Sequence, residues 1–119
     1  MVMYDYQTII GILDEVGLGS VVSRIGGIDV TPQLDWSKIL SPGETQRLSF
    51  ARVLFHCPVL AVMDEPTSAI DEQGEGQLFA ACRRRSITVM TVGHRETLKN
   101  YHDTSLQFLG NGEWKMNDI

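Results

Sequence analysis

Val59-Leu60-Ala61-Val62-Met63-Asp64-Glu65-Pro66 is the stretch on which the reading of this 119-residue chain turns. Its apolar part runs without polar alternation, the mark of a strand buried on both faces, and it ends in two adjacent carboxylates. Such a strand belongs to an α/β fold, in which ligands collect at the carboxyl ends of parallel strands. Upstream, Ser41-Pro42-Gly43-Glu44 carries a helix start three times over: Ser as N-cap, Pro at the first helical position and Glu three residues after the Ser. Leu48, Ala51, Leu54 and Phe55 continue that helix at helical spacing until Pro58 stops it. Downstream, a helix between about Glu72 and Arg85 puts Leu78, Phe79 and Cys82 on one side, although Gly74 and Gly76 weaken its first half. Ile87-Thr88-Val89-Met90-Thr91-Val92 is β-branched and strand-like, with Gly93-His94 directly after it.

Outside this centre, Ile9, Leu13 and Val16 recur at helical spacing before Gly17, which predicts a helix over about residues 5–16. Residues 17–38, with Gly19, Gly26, Gly27 and Pro32, suit a connection holding at most one short helix around Val21 to Ile25. Leu106 and Phe108, then Trp114 and Met116, alternate on either side of Gly110-Asn111-Gly112 and predict an antiparallel hairpin.

Composition narrows the function. Ten Lys+Arg against fifteen Asp+Glu give a net charge of −5, so there is no overall basic footprint and a nucleic-acid partner is disfavoured. The longest apolar runs are strand-sized, far below the roughly 20 residues of a membrane-spanning helix. Met1 to Tyr6 has neither a cationic lead nor an apolar core, and reads as no secretory signal. Cys57 and Cys82 lack C-x-x-C spacing and are expected to be reduced and structural. Arg83-Arg84-Arg85 reads as a solvated helix end favoured by the dipole.

Taken singly, the polar sites have ordinary explanations: a capping box at Ser41, a solvated turn at Asp64-Glu65, a surface histidine at His94. Their order and spacing carry more. Leu40-Ser41-Pro42-Gly43-Glu44, then Val59 to Asp64, Glu65, Ser68-Ala69-Ile70-Asp71 and finally His94 resemble the signature motif, Walker B strand, catalytic glutamate, D-loop and switch histidine of an ATP-binding cassette (ABC) nucleotide-binding domain. Asp35-Trp36, Val92-Gly93-His94-Arg95, Tyr101-His102 and Gly112-Glu113-Trp114-Lys115 look like subfamily D, and Pro42 with Arg47-Leu48-Ser49-Phe50-Ala51-Arg52 looks most like its cobalamin-linked branch. The resemblance implies the C-terminal half of a P-loop NTPase domain of ABC type, with a signature-bearing helical part over about 1–57 and part of the α/β core over about 58–119.

The resemblance also assigns roles that the residue types can fill. The start of the Ser41 helix, with Ser41, Gly43 and Glu44, would meet the γ-phosphate of an ATP held mainly by the opposite domain of a dimer, where free N–H groups and the dipole favour an anion. Pro42 offers no N–H there. Glu44 either turns back onto Ser41 as part of the cap or faces phosphate and repels it. Asp64 would hold Mg²⁺, Glu65 would orient the attacking water, and His94 would donate to the γ-phosphate. Ser41, Asp64, Glu65 and His94 are thus expected around a terminal phosphate, while Asp71 would act across the dimer seam.

No G-x-x-x-x-G-K-[ST] occurs in the 119 residues, and Lys38, Lys99 and Lys115 lack its context. No glutamine occupies a Q-loop position. The chain is therefore expected to be part of a longer domain, not to bind ATP tightly alone, and to leave the Val59 strand with an apolar edge open to pairing. The implied function is powering transmembrane transport with a membrane domain, at the cytoplasmic face of a peroxisomal, lysosomal or bacterial inner membrane. A short module lending its signature helix and D-loop to a partner ABC domain is the alternative. A chromosome-maintenance ATPase is disfavoured by low charge density and the absence of heptads. Acyl-CoA, cobalamin and peptide remain open as cargo.

Overall fold

The computed structural model describes residues 5–119; Met1 to Tyr4, the greater part of the stretch read as no secretory signal, lie outside the described residues. In chain order the elements are α1 (Tyr6–Glu15), α2 (Gly19–Ile25), α3 (Trp36–Ile39), α4 (Pro42–His56), β1 (Leu60–Asp64), α5 (Glu72–Arg84), β2 (Thr88–Val92), a 3₁₀ segment (Glu96–Tyr101), β3 (Thr104–Gly110) and β4 (Glu113–Asp118). β1 and β2 pair in parallel with Ala61 opposite Val89 and Asp64 opposite Val92. β3 and β4 form the antiparallel hairpin, with Phe108 opposite Trp114 and an irregularity between Phe108 and Gly110. The α/β class, with parallel strands, helices and a closing hairpin, is as the sequence predicts.

The core lies between the helices and one face of the β1–β2 pair. Ala61 and Met63 turn into it and meet a cluster that includes Phe50 and Leu54 of α4 and Leu78, Phe79 and Cys82 of α5, with Ile12, Val16 and Val21 from the N-terminal helices. Phe79 organises its centre, edge-on to Phe50 at 5.6 Å and stacked on Tyr101 at 4.9 Å. Gly74 has a packing reason to be glycine: a Cβ there would lie 2.8 Å from Asp71 Oδ1 and 2.9 Å from Ile70 Cγ2. The residue that weakened the helix reading is what lets α5 begin against this loop.

Three expectations need correction. β1 is not buried on both faces: Val62 is 66% exposed and Leu60 is exposed too, because α4 and α5 cover one face and no described element covers the other. The connection between α1 and α4 holds two helical pieces, α2 and the single turn α3, the latter opened at Asp35 and closed by the Leu40 N–H on the Trp36 carbonyl. The arginine run is not simply solvated: Arg84 and Arg85 grip Glu15 at 2.8 and 2.5 Å, tying the end of α5 to the end of α1. The Arg85 guanidinium, with Arg84, holds the Glu15 carboxyl down at about 2. Both cysteines are free thiols; Cys82 is buried, and burial pushes it up to about 11, whereas Cys57 is an exposed helix cap rather than a core residue.

Candidate functional site

β1 and β2 run in parallel and end side by side, so Glu65 and His94, which follow them, emerge at one edge of the sheet. Glu65 has φ 46°, in the left-handed region, which costs a non-glycine residue roughly 1–2 kcal/mol. Two bonds hold it there. Its N–H donates to the Val92 carbonyl at 2.8 Å, extending the ladder one residue past β1, and its own carbonyl accepts from Gln46 Nε2 at 3.2 Å. The turn brings Glu65 Oε1 to 3.4 Å from His94 Nε2, with the imidazole 94% exposed. Strain of this kind at a strand end marks a place where side-chain direction matters more than local stability.

Asp64 is exposed, and among the described residues its carboxylate accepts no hydrogen bond and forms no ion pair. Among the described residues no group of three or more His, Cys, Asp or Glu could hold a metal by itself. A lone unengaged carboxylate fits Mg²⁺, which takes one or two protein carboxylates and completes its shell with water and phosphate oxygens. It does not fit a metal that needs an all-protein cage.

The segment after Glu65 is held by long polar side chains from elsewhere. Gln46 of α4 donates to Ser68 Oγ at 2.8 Å and accepts from the Ala69 N–H at 2.9 Å. Arg95, next to His94, donates to the carbonyls of Thr67 and Ile70, the latter at 2.7 Å. Asp71 closes the loop by capping α5, its Oδ1 accepting from the Gly74 N–H at 2.7 Å.

At the start of α4 the capping box is complete: Ser41 Oγ accepts from the Glu44 N–H at 3.1 Å, and Glu44 Oε1 accepts from the Ser41 N–H at 2.9 Å. Glu44 thus serves the cap. Arg24 of α2 also grips it at 3.0 Å and donates to the Ile39 carbonyl, and that guanidinium, with the Ser41 N–H, holds the Glu44 carboxyl down at about 2. The negative charge at this helix end is therefore matched by a cation. Acting as acceptor in the cap leaves the Ser41 hydroxyl hydrogen free to donate. Gly43 lies where a Cβ would be 2.9 Å from the Ala69 carbonyl, so glycine lets the first turn of α4 approach the 68–71 loop.

Apart from Asp71, which caps α5, the residues singled out from sequence thus fall into two groups. Glu65 and His94 meet directly, and Asp64 precedes Glu65 on the same strand end. Ser41, Gly43 and Glu44 form a second group at the α4 terminus, where the hydrogen bonds of Ser41 are with Glu44 and Thr45. Gln46, not Ser41, joins α4 to the strand end. The sequence reading missed Gln46, Arg24 and Arg95 as organisers. Only Arg95 had a signal, its place directly after His94.

No family model matches the chain. It is 41% identical over 115 residues to the lysosomal cobalamin transporter ABCD4 of Mus musculus, taking in 97% of this chain and 19% of that protein. It is 40% identical over 107 residues to ATP-binding cassette sub-family D member 3 of Homo sapiens, covering 90% of this chain and 16% of that protein. An uncharacterized ABC transporter ATP-binding protein of Synechocystis is 39% identical over 107 residues, again covering 90% and 16%. Among solved structures, the ATP-binding cassette MJ1267 of an ABC transporter, in its ADP conformation, superposes with a TM-score of 0.54 at 22% identity, over 87% of this chain and 39% of that chain. The fold is that of part of an ABC nucleotide-binding domain. Within that class the chain belongs with subfamily D. It spans under a fifth of the length of these curated relatives, 19% and 16%.

Proposed function

We propose that this chain is the C-terminal part of an ATP-hydrolysing domain that powers a subfamily D transporter, dividing near residue 57 into a signature-bearing part and a core part. One observation carries the reading: a carboxylate and an imidazole meet at the ends of adjacent parallel strands, 3.4 Å apart. Glu65 is the group that orients and deprotonates water, the work of a general-base carboxylate. His94 donates to the γ-phosphate and stabilises charge that develops there. Asp64 would hold Mg²⁺, whose chemistry is to neutralise and bridge phosphate oxygens. Ser41 and Gly43 would offer donors to the phosphate of a nucleotide bound mainly by a second ABC domain, with Glu44 kept from repelling it by Arg24, while Asp71 lies toward that partner. Neutralising Glu44 is what makes this helix end compatible with an anion.

The name of one matched relative, the lysosomal cobalamin transporter ABCD4, supports cobalamin as cargo and a lysosomal membrane. Acyl-CoA cargo and a peroxisomal or bacterial inner membrane rest on the subfamily resemblance alone, in each case with a transmembrane domain and the ATPase at the cytoplasmic face. In the complete protein, His94→Ala should lower kcat for ATP roughly 100-fold while equilibrium ATP binding stays within about threefold. Unchanged turnover in that variant would remove the histidine from the reaction and, with it, the main support for hydrolysis at this edge.

A further inference from the structure

Glu75 is the one charged side chain of α5 that the core encloses completely, at 0% exposure. Its Oε2 accepts a hydrogen bond from Thr67 Oγ1 and lies 3.2 Å from Arg95 Nη1, while Oε1 is buried without a hydrogen-bond partner among the described residues. A carboxylate in that state is a poor device for stability, since an apolar residue of similar volume packs there without the desolvation cost. What Glu75 does is seat Arg95. The seated guanidinium holds the carbonyls of Thr67 and Ile70, the latter at 2.7 Å, at the two ends of the segment that leads from Glu65 to Asp71. On its own backbone, Arg95 is the residue after His94.

We propose that Arg95, seated by Glu75, is a positioning residue that locks the loop between Glu65 and Asp71 to the turn carrying His94, so that the two keep one fixed relation. The inference rests on the hydrolytic reading of the site and deepens it. His94 and Glu65 approach each other from different strands, and their 3.4 Å separation is kept only if the turns after both strands move together. Gln46 ties the Glu65 side of the loop to α4, but it makes no bond to the turn carrying His94. The Arg95 clamp makes that bond. Losing it would leave nucleotide binding in place and misplace the reacting groups.

The test uses the complete protein, with Glu65→Gln as control, and measures kcat per nucleotide-binding site, equilibrium ATP affinity and thermal midpoint. Arg95→Met should lower kcat tenfold or more with affinity within about twofold, because misplacement by about 1 Å is enough for such losses. Arg95→Lys, which keeps the charge, should recover most of that loss. Glu75→Gln should give an intermediate loss of kcat, again without loss of affinity. Wild-type kcat in a folded Arg95→Met protein, or a fall in affinity that matches the fall in kcat, would overturn the proposal. If Arg95→Met does not fold, wild-type kcat in both Arg95→Lys and Glu75→Gln would overturn it instead. Turnover surviving in Glu65→Gln would show that the hydrolytic reading itself had failed, separately from Arg95.

Discussion

Two regions of this chain differ in how far they cover their apolar strands. Around the ends of β1 and β2, side chains such as Gln46, Arg95 and Asp71 bind loop backbone, and Ala61 and Met63 point into a closed core. In the β3–β4 hairpin the ladder holds the strands together, while Leu106, Phe108, Trp114 and Met116 pair across one face and stand in solvent, Phe108 at 78% exposure. The radius of gyration, 16.3 Å, exceeds the roughly 13.5 Å of a compact chain of this length. The contrast teaches that the first region encodes its own contacts on one face, leaving Leu60, Val62, Met90 and Val92 exposed on the other, whereas the hairpin leaves its whole apolar face for contacts beyond those described. Exposed apolar faces of this kind mark interaction surfaces.

The sharpest probe of that difference is the same substitution in each region. Phe50→Ala should cost about 3–5 kcal/mol in urea unfolding of this chain. Phe108→Ala should fall within about 0.5 kcal/mol; similar losses at both positions would break the comparison. Next in size is the α4 cap. Ser41→Ala should cost about 1 kcal/mol, because the Glu44 N–H loses its acceptor.

A smaller effect follows from Glu15. Its folded carboxyl is depressed from 4.5 to about 2 by Arg85 and Arg84, so the stability it contributes is complete above 4.5 and is lost as pH falls through about 2. The pair is partly exposed, so its share is about 1 kcal/mol or less. The stability difference between the native chain and Glu15→Gln should therefore shrink between pH 4.5 and 2. Smallest in stability is Phe108→Ser with Trp114→Ser, expected to leave the unfolding midpoint nearly unchanged while reducing self-association in sedimentation.

Local chemistry made most of the fold legible. The Ser41 cap, the Pro58 stop, the apolar run into Asp64 and the glycines flanking Asn111 each fix an element by sterics or hydrogen bonding within a few residues. What stayed hidden depends on distant partners. Nothing near Val62 says that only one face of its strand is covered, and nothing near Arg84 and Arg85 points to Glu15, 69 and 70 residues away. The site divides in the same way. Glu65 and His94 were readable because each ends a recognisable strand, whereas Arg24 and Gln46, at ordinary helix positions, carry no local mark of their role. Gly74 is the instructive case, since propensity counted against the helix at the position where close packing requires glycine.

The central claim is that Glu65 performs the hydrolytic step at an edge that binds nucleotide without its help. Glu65→Gln in the complete protein, assayed for ATP binding and steady-state hydrolysis side by side, tests it most directly. The account predicts intact binding with turnover nearly abolished; normal hydrolysis in that variant would contradict it.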